Sequence, residues 1–292
     1  MVNQELLVAL EPNQEAEQVW QVANRVAKGL RAVPHLINVI EPATAVYADL
    51  DFAPLADFAV ESQQAQIEAN RAYFEQALPP CATANLNVVE GRPAYEIAKA
   101  ADQLDADLVV MGVHNRRGLR RLLGSTTHAV LNGSEQDVLA VHPDGGLGAY
   151  KRVLIAVDTT DLADTVLNRA KDFIRDAEFV KIVSAIIPLT KVFAVPETSV
   201  ASSASMAQLA DEVRAEIKAK VTQAAARHDF EETLVEVRTG DPRDEIIDAA
   251  EAYDADLIII GSNPRGPVNR LLLGSTARSV LNHTPCDVLV CR

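Results

Sequence analysis

Two segments of this 292-residue chain have the residue types and spacing to handle a phosphate. One reads Gly261-Ser-Asn-Pro264-Arg265-Gly266-Pro-Val-Asn-Arg-Leu-Leu-Leu-Gly274-Ser275-Thr276. It follows the apolar run Leu257–Ile260, which has strand length, and leads into a stretch of helical spacing. A glycine at a strand end lets the backbone turn sharply or approach a ligand, because it lacks a Cβ. A helix opening on Gly274-Ser275-Thr276 presents unpaired N–H groups and the positive end of its dipole, both suited to a phosphate. Ser275 and Thr276 add hydroxyl donors, and Arg265 adds a cation. The plainer alternative is that Ser275 is only a helix N-cap and the glycines are only turn residues.

The second segment repeats the first. Residues 105–142 (DADLVVMGVHNRRGLRRLLGSTTHAVLNGSEQDVLAVH) lie against residues 254–292 (DADLIIIGSNPRGPVNRLLLGSTARSVLNHTPCDVLVCR), identical at about half the positions with a one-residue gap. Gly112, Gly124 and Ser125 therefore stand where Gly261, Gly274 and Ser275 stand. The register runs upstream, with Gly91-Arg92-Pro93 against Gly240-Asp241-Pro242 and ELLVALEP (5–12) against RVLIAVDT (152–159). A glycine-rich connector, 142–150, separates the halves, which predicts domains at 1–147 and 148–292.

The elements that must position these loops follow from periodicity. In the second half, Val153–Val157 is a continuous apolar run, and Leu162, Val166, Ala170, Phe173 and Ile174 recur at helical spacing. Further strands are predicted at 180–187, 234–237, 257–260 and 288–291, with helices at 205–228, after Gly240-Asp241-Pro242, and at 275–282. Asp241 is the expected N-cap, with Pro242 in the first turn. The first half predicts strands near 6–10, 35–40, 86–89, 108–111 and 138–141. Five strands alternating with four helices imply α/β: two similar doubly wound, Rossmann-like domains, each with a parallel sheet covered on both faces. In such a sheet a ligand binds beyond the carboxyl ends of the strands, where the strand order reverses. The loops after each first and fourth strand are therefore the ones to examine.

Composition narrows the classes. The chain has 27 basic and 41 acidic side chains, a net charge of −14, which disfavours nucleic acid and anionic membranes as partners. No apolar run reaches the length of a membrane span, and the N-terminal segment has no basic region of a leader peptide, so a cytoplasmic protein is expected. Cys81, Cys286 and Cys291 show neither disulfide-framework nor zinc spacing, and the six histidines show no metal-binding spacing. No metal is expected. Gly261 and Gly266 have the spacing of a P-loop start, but Pro267-Val268 stands where Lys and Ser or Thr must be. Arg116, Arg117, Arg120 and Arg121 form a basic cluster that either clamps a phosphate or serves as a solvated face paired with the excess carboxylates. His114, two residues beyond Gly112, reads as a surface residue rather than a general base. No nucleophile–base pair is indicated by spacing, so enzymatic turnover is not expected.

The glycine loops, Val157-Asp158 ending the first strand, Gly240-Asp241-Pro242, and the segments LLGSTTHAVLN (122–132) and LLGSTARSVLN (272–282) resemble the universal stress protein family, in tandem across essentially the whole chain. The resemblance implies that some members bind ATP through a G-x-x-G-x₉-G-[ST] loop, with an Asp after the first strand near the adenine. Asp158, Gly261, Gly274 and Ser275 match that pattern, whereas Pro264 replaces its second glycine. Proline removes an N–H that would cradle phosphate, and Gly266 is the nearest substitute. In the first half Asn115 replaces the glycine, the loop is one residue shorter, and Glu11-Pro12 replaces Asp158-Thr159. The second half is therefore the expected ATP site of a stress-response regulator or sensor: Asp158 for base or ribose, Gly261 and Gly266 for the triphosphate, Ser275 and Thr276 for phosphate, and Arg265 as counter-charge. The alternative is a scaffold without ATP, or a protein for another small ligand held under the loops 42–58 and 188–205. Those loops contain Phe52, Leu55, Phe58, Val192, Phe193 and Val195. The resemblance also implies assembly through last strands, here 138–141 and 288–291, as a pseudo-dimer within one chain or as a homodimer.

Overall fold

The computed structural model describes residues 4–42, 53–113, 124–193, 204–262 and 273–292. The chain divides into two compact units, Met1–Pro143 and Asp144–Arg292. Unit 1 runs β1 (Gln4–Ala9), α1 (Ala16–Leu30), β2 (Ala32–Ile40), α2 (Ala53–Ala77), a single-turn α3 (Pro80–Thr83), β3 (Leu86–Glu90), α4 (Pro93–Leu104), β4 (Leu108–Gly112), α5 (Ser125–Gly133) and β5 (Asp137–Val141). Unit 2 runs β6 (Arg152–Ala156), α6 (Leu162–Phe173), β7 (Phe179–Ile186), a single-turn α7 (Leu189–Val192), α8 (Ala204–Arg227), β8 (Val235–Thr239), α9 (Pro242–Ala252), β9 (Leu257–Gly261), α10 (Ser275–His283) and β10 (Asp287–Cys291).

Every strand pairing within each unit is parallel, in the order β3-β2-β1-β4-β5 for unit 1 and β8-β7-β6-β9-β10 for unit 2. The first strand lies in the middle, and the order reverses between first and fourth strands. Each unit is thus a doubly wound α/β fold, as the periodicity predicted. The central strands are continuous apolar runs because helices cover both faces. Val153, Leu154 and Ile155 of β6 and Leu257, Ile258 and Ile259 of β9 are all essentially inaccessible to water. Burying each such side chain contributes about 1.5–3 kcal/mol before the entropy of ordering is subtracted.

The repeated tetrapeptide Asp-Ala-Asp-Leu has a structural role. Asp105 and Asp254 close α4 and α9 in the left-handed conformation, at φ 50° and 45°. The chain then turns at once into the fourth strand, with the N–H of Ala106 donating to Ala101 O and that of Ala255 to Ala250 O. The second aspartate fixes the start of that strand to the first. The Asp256 carboxylate accepts the backbone N–H of Lys151 at 2.7 Å and of Arg152 at 3.1 Å. Asp107 accepts the N–H of Glu5 at 2.9 Å in the same way.

Other helix starts follow the reading in part. Asp241 is the N-cap of α9, accepting the N–H of Arg243, with Pro242 as first helical residue. At α10 the reading changes: Gly274 is the N-cap, no side chain caps the helix, and Ser275 is the first helical residue. Ser275 is therefore not the cap. The two single-turn helices were not predicted, since four residues are too short to show a period. β2 also begins earlier than expected, at Ala32. Phe58, Val192 and Phe193, considered as the walls of a second cavity, are instead exposed. Phe52 and Val195 lie outside the described residues, as does the side chain of Leu55. Among the described residues, no helix is long and apolar enough to cross a membrane.

Two outcomes check this account. Asp256→Ala leaves two strand-initiating N–H groups without their acceptor and is expected to lower unfolding free energy by about 1–2 kcal/mol in urea titration. The Asp241 carboxyl, bonded to the Arg243 guanidinium and N–H, is held at about 2 rather than 3.8. Because its folded pKa is lowered, the stabilisation is full above the unfolded value and is lost as pH falls through about 2. NMR titration of the carboxyl carbon should find that low midpoint, and Arg243→Ala should move it back toward 3.8.

Candidate functional site

Unit 2 carries a cavity of about 520 Å³ at the carboxyl ends of β6 and β9, where the strand order reverses. Ala156, Val157 and Asp158 form one side, and Ile260 and Gly261 the other. The starts of α6 (Leu162, Ala163, Val166) and α9 (Pro242, Ile246) close the apolar walls, with Ile187 beyond β7. Leu273 and the N-terminus of α10, from Gly274 to Ala277, complete the lining. The fold thus brings Asp158, Gly261, Gly274, Ser275 and Thr276 to one cavity. Arg265 and Gly266 lie outside the described residues, as do Pro264 of the same loop and Asn115, His114 and the first-half arginines.

Each of these residues is placed for a local reason. Val157 still pairs with β7, its N–H donating to Val183 O, and the chain leaves the sheet at Asp158. The Asp158 carboxylate then turns back to accept the N–H of Thr160 at 2.9 Å, together with the Thr160 hydroxyl. This turn delivers the chain into α6 and leaves the carboxylate exposed at the cavity. In the lining of the same cavity, Gly274 adopts φ −60° and ψ 153° before the first helical bond, from Arg278 N to Gly274 O. The N–H groups of the first turn of α10 have no intrahelical partner and no side-chain cap, and the helix dipole adds positive potential there. The cavity therefore offers acceptors at Asp158, donors at α10 and an apolar middle.

Gly261 also has a packing role that the sequence did not indicate. A Cβ there would lie 2.5 Å from Leu162 Cδ2 and 3.1 Å from Val166 Cγ2. The glycine lets α6 settle against the end of β9 at the edge of the cavity that it lines. Gly112 serves α1 in the same way with more room, since a Cβ there would lie 3.1 Å from Val19 Cγ2.

Unit 1 has the equivalent cavity, of about 390 Å³, with a different lining. Gly112 lines it, but at the head of α5 the lining residues are Thr126 and Thr127; Gly124 is the N-cap and Ser125 the exposed first helical residue. The Thr127 hydroxyl donates to Gly112 O at 3.2 Å, tying α5 to β4; Ala277, its counterpart, has no hydroxyl to do so. The walls include Glu11, Glu15, Glu41, Asn13, Asn38 and Asn70. Sequence reading missed Asn38 and Asn70, although a lone Asn inside the run Leu36-Ile37-Asn38-Val39-Ile40 is a visible anomaly. Asn38 and Asn70 are 2% and 8% exposed.

Neither cavity holds a reactive thiol. Cys286 and Cys291 are buried in unit 2, and burial pushes the Cys286 thiol up to about 12. Among the described residues, no group of His, Cys, Asp and Glu is arranged to hold a metal.

Fold and site together define a protein with two doubly wound α/β units, each with a cavity at its switch point. The universal stress protein family matches twice, over residues 3–142 and 149–292, and the chain belongs to that family. It is similar to universal stress protein A homolog 2 of Coxiella burnetii, 32% identical over 139 residues, 47% of this chain and 92% of that protein. It is also 32% identical over 153 residues to a universal stress protein of Methanocaldococcus jannaschii, covering 50% of this chain and 84% of that one. Each of these relatives corresponds to about half of this chain. A crystal structure of a universal stress protein from Archaeoglobus fulgidus shares the fold over 100% of this chain and 99% of its own, at 20% identity and TM-score 0.64.

The glycine contacts give a testable contrast. Gly261→Ala must displace Leu162 and the stiff Val166 and is expected to cost about 1–3 kcal/mol, whereas Gly112→Ala should cost under about 1 kcal/mol. Thermal unfolding of the two variants side by side measures the difference.

Proposed function

We propose that this universal stress protein binds an adenine nucleotide in unit 2 and acts as a regulator or sensor rather than as an enzyme. The observation that carries the proposal is the presence, in the lining of one 520 Å³ cavity, of both the Asp158 carboxylate and the uncapped N-terminus of α10. A nucleotide has the complementary layout. Its base and ribose offer donors to Asp158, its ring faces suit the apolar walls of Leu162, Val166, Ile246 and Ile260, and its phosphates suit the first-turn N–H groups and the Ser275 and Thr276 hydroxyls. Arg265 and Gly266 are proposed to meet the outer phosphates, ATP being the fullest occupant. No side chain among those lining the cavity has the arrangement of a general base beside a nucleophile, and so binding rather than turnover is the proposed activity.

Calorimetric titration with ATP tests this. Gly274 has a backbone conformation open to any residue, so Gly274→Val should fold while its side chain obstructs the phosphate position. The expected result is one ATP per chain, with affinity weakened about tenfold or more by the substitution. Equal heats from both proteins, or no binding at millimolar ATP, would exclude this reading and favour a scaffold acting through protein contacts.

A further inference from the structure

The two cavities meet the helices after their fourth strands differently. α5 and α10 are nine residues each and start alike. Gly124 and Gly274 are their N-caps, at φ −56°, ψ 148° and φ −60°, ψ 153°, and Ser125 and Ser275 are their first helical residues. Local backbone geometry therefore does not separate them. Their placement against the cavity does. In unit 2 the cap and the first three helical residues, Gly274 to Ala277, all line the cavity. In unit 1, of the matching stretch from Gly124 to Thr127, the lining takes Thr126 and Thr127 and leaves out the cap and Ser125.

The third helical position is where the bonding differs. Thr127 is 1% exposed, and its hydroxyl donates at 3.2 Å to the carbonyl of Gly112, the last residue of β4. Ala277 is as deeply buried, at 2%, and has only a methyl group at that position. The unit 1 cavity is also the smaller, about 390 Å³ against 520 Å³, as a helix seated closer to its strand requires.

Given the nucleotide reading of unit 2, on which this point rests, we infer that residue 277, with its counterpart 127, determines which unit takes phosphate. In unit 1 the Thr127 hydroxyl draws the third residue of α5 onto the end of β4 and tips the cap and first residue away from the cleft. The first-turn N–H groups that would receive an anion are turned away with them. In unit 2 no hydroxyl stands at 277, and the helix start stays at the cavity. Thr127 and Ala277 are positioning residues: they act through the helix start and need not touch the ligand.

Crystal structures and ATP calorimetry of Ala277→Thr and Ala277→Val in the full chain test this. The two substitutions add about the same volume, and only the first adds a hydroxyl. Ala277→Thr is expected to bond Gly261 O, to carry Gly274 and Ser275 out of the cavity lining, and to bind ATP at least about tenfold more weakly than Ala277→Val, as loss of hydrogen bonds to a charged group requires. Thr127→Val keeps the branched shape that its site already holds, and should bring Gly124 and Ser125 into the unit 1 lining. Equal ATP affinities of Ala277→Thr and Ala277→Val, or a Thr127→Val structure with α5 unmoved, would overturn the inference. Failure of the unaltered protein to bind ATP would overturn the nucleotide reading itself, whereas the Thr127→Val structure judges the role of the hydroxyl separately.

Discussion

The pairing of first and fourth strands is the contact on which each unit depends. It lies in the middle of the strand order and bears the most buried residues. It is also the one place where the chain's direction of winding reverses, so that helices depart to opposite faces and a crevice opens. Asp107 and Asp256 set its register at the amino end, and Gly112 and Gly261 admit the first helices at the carboxyl end. The cavity follows from this pairing, since its walls are the strand ends and helix starts that the pairing leaves side by side.

The two units use one scaffold for different surroundings. In unit 2 the cleft is apolar through its middle and changes sign from Asp158 to α10. In unit 1 the same position keeps apolar walls, Val19, Ile97 and Met111 among them, but adds buried amides and a rim of carboxylates. The difference comes from few residues. Glu11 replaces Asp158, Asn38 stands in a strand that is otherwise apolar, and Thr127 spends its hydroxyl on a backbone carbonyl where unit 2 has Ala277.

Most of the fold was legible because its signals are local and repeated. Val153–Val157 has no other reading than a strand buried on both faces, and the spacing of Leu162, Val166 and Ala170 fixes one helix face. The position of the cavity was legible from strand order, as was the presence of Asp158, Gly274 and Ser275 in its lining. The packing of Gly261 against α6 was not, because a missing Cβ has the same spelling whether it admits a ligand, a neighbouring helix or both. The alternative that Ser275 caps α10 could not be decided from sequence for a related reason: Gly and Ser are both acceptable caps, and only backbone angles separate them. Asn70 was invisible as a cavity-lining residue, since its placement depends on Asn38, thirty-two positions away, and on a carbonyl that no side-chain pattern records.

The Asn38–Asn70 link has one more consequence. It joins strand β2 to the long helix α2 by a bond whose direction is dictated from the backbone at the end of β1 outward. A side-chain amide usually has two interchangeable orientations, but this pair has one, and the information passes from main chain to strand to helix without loss. The helix is thereby keyed to the sheet like a plug with a single permitted insertion. Apolar contacts alone would let α2 slide or rotate by a fraction of a turn at little cost, and the amide pair removes that freedom.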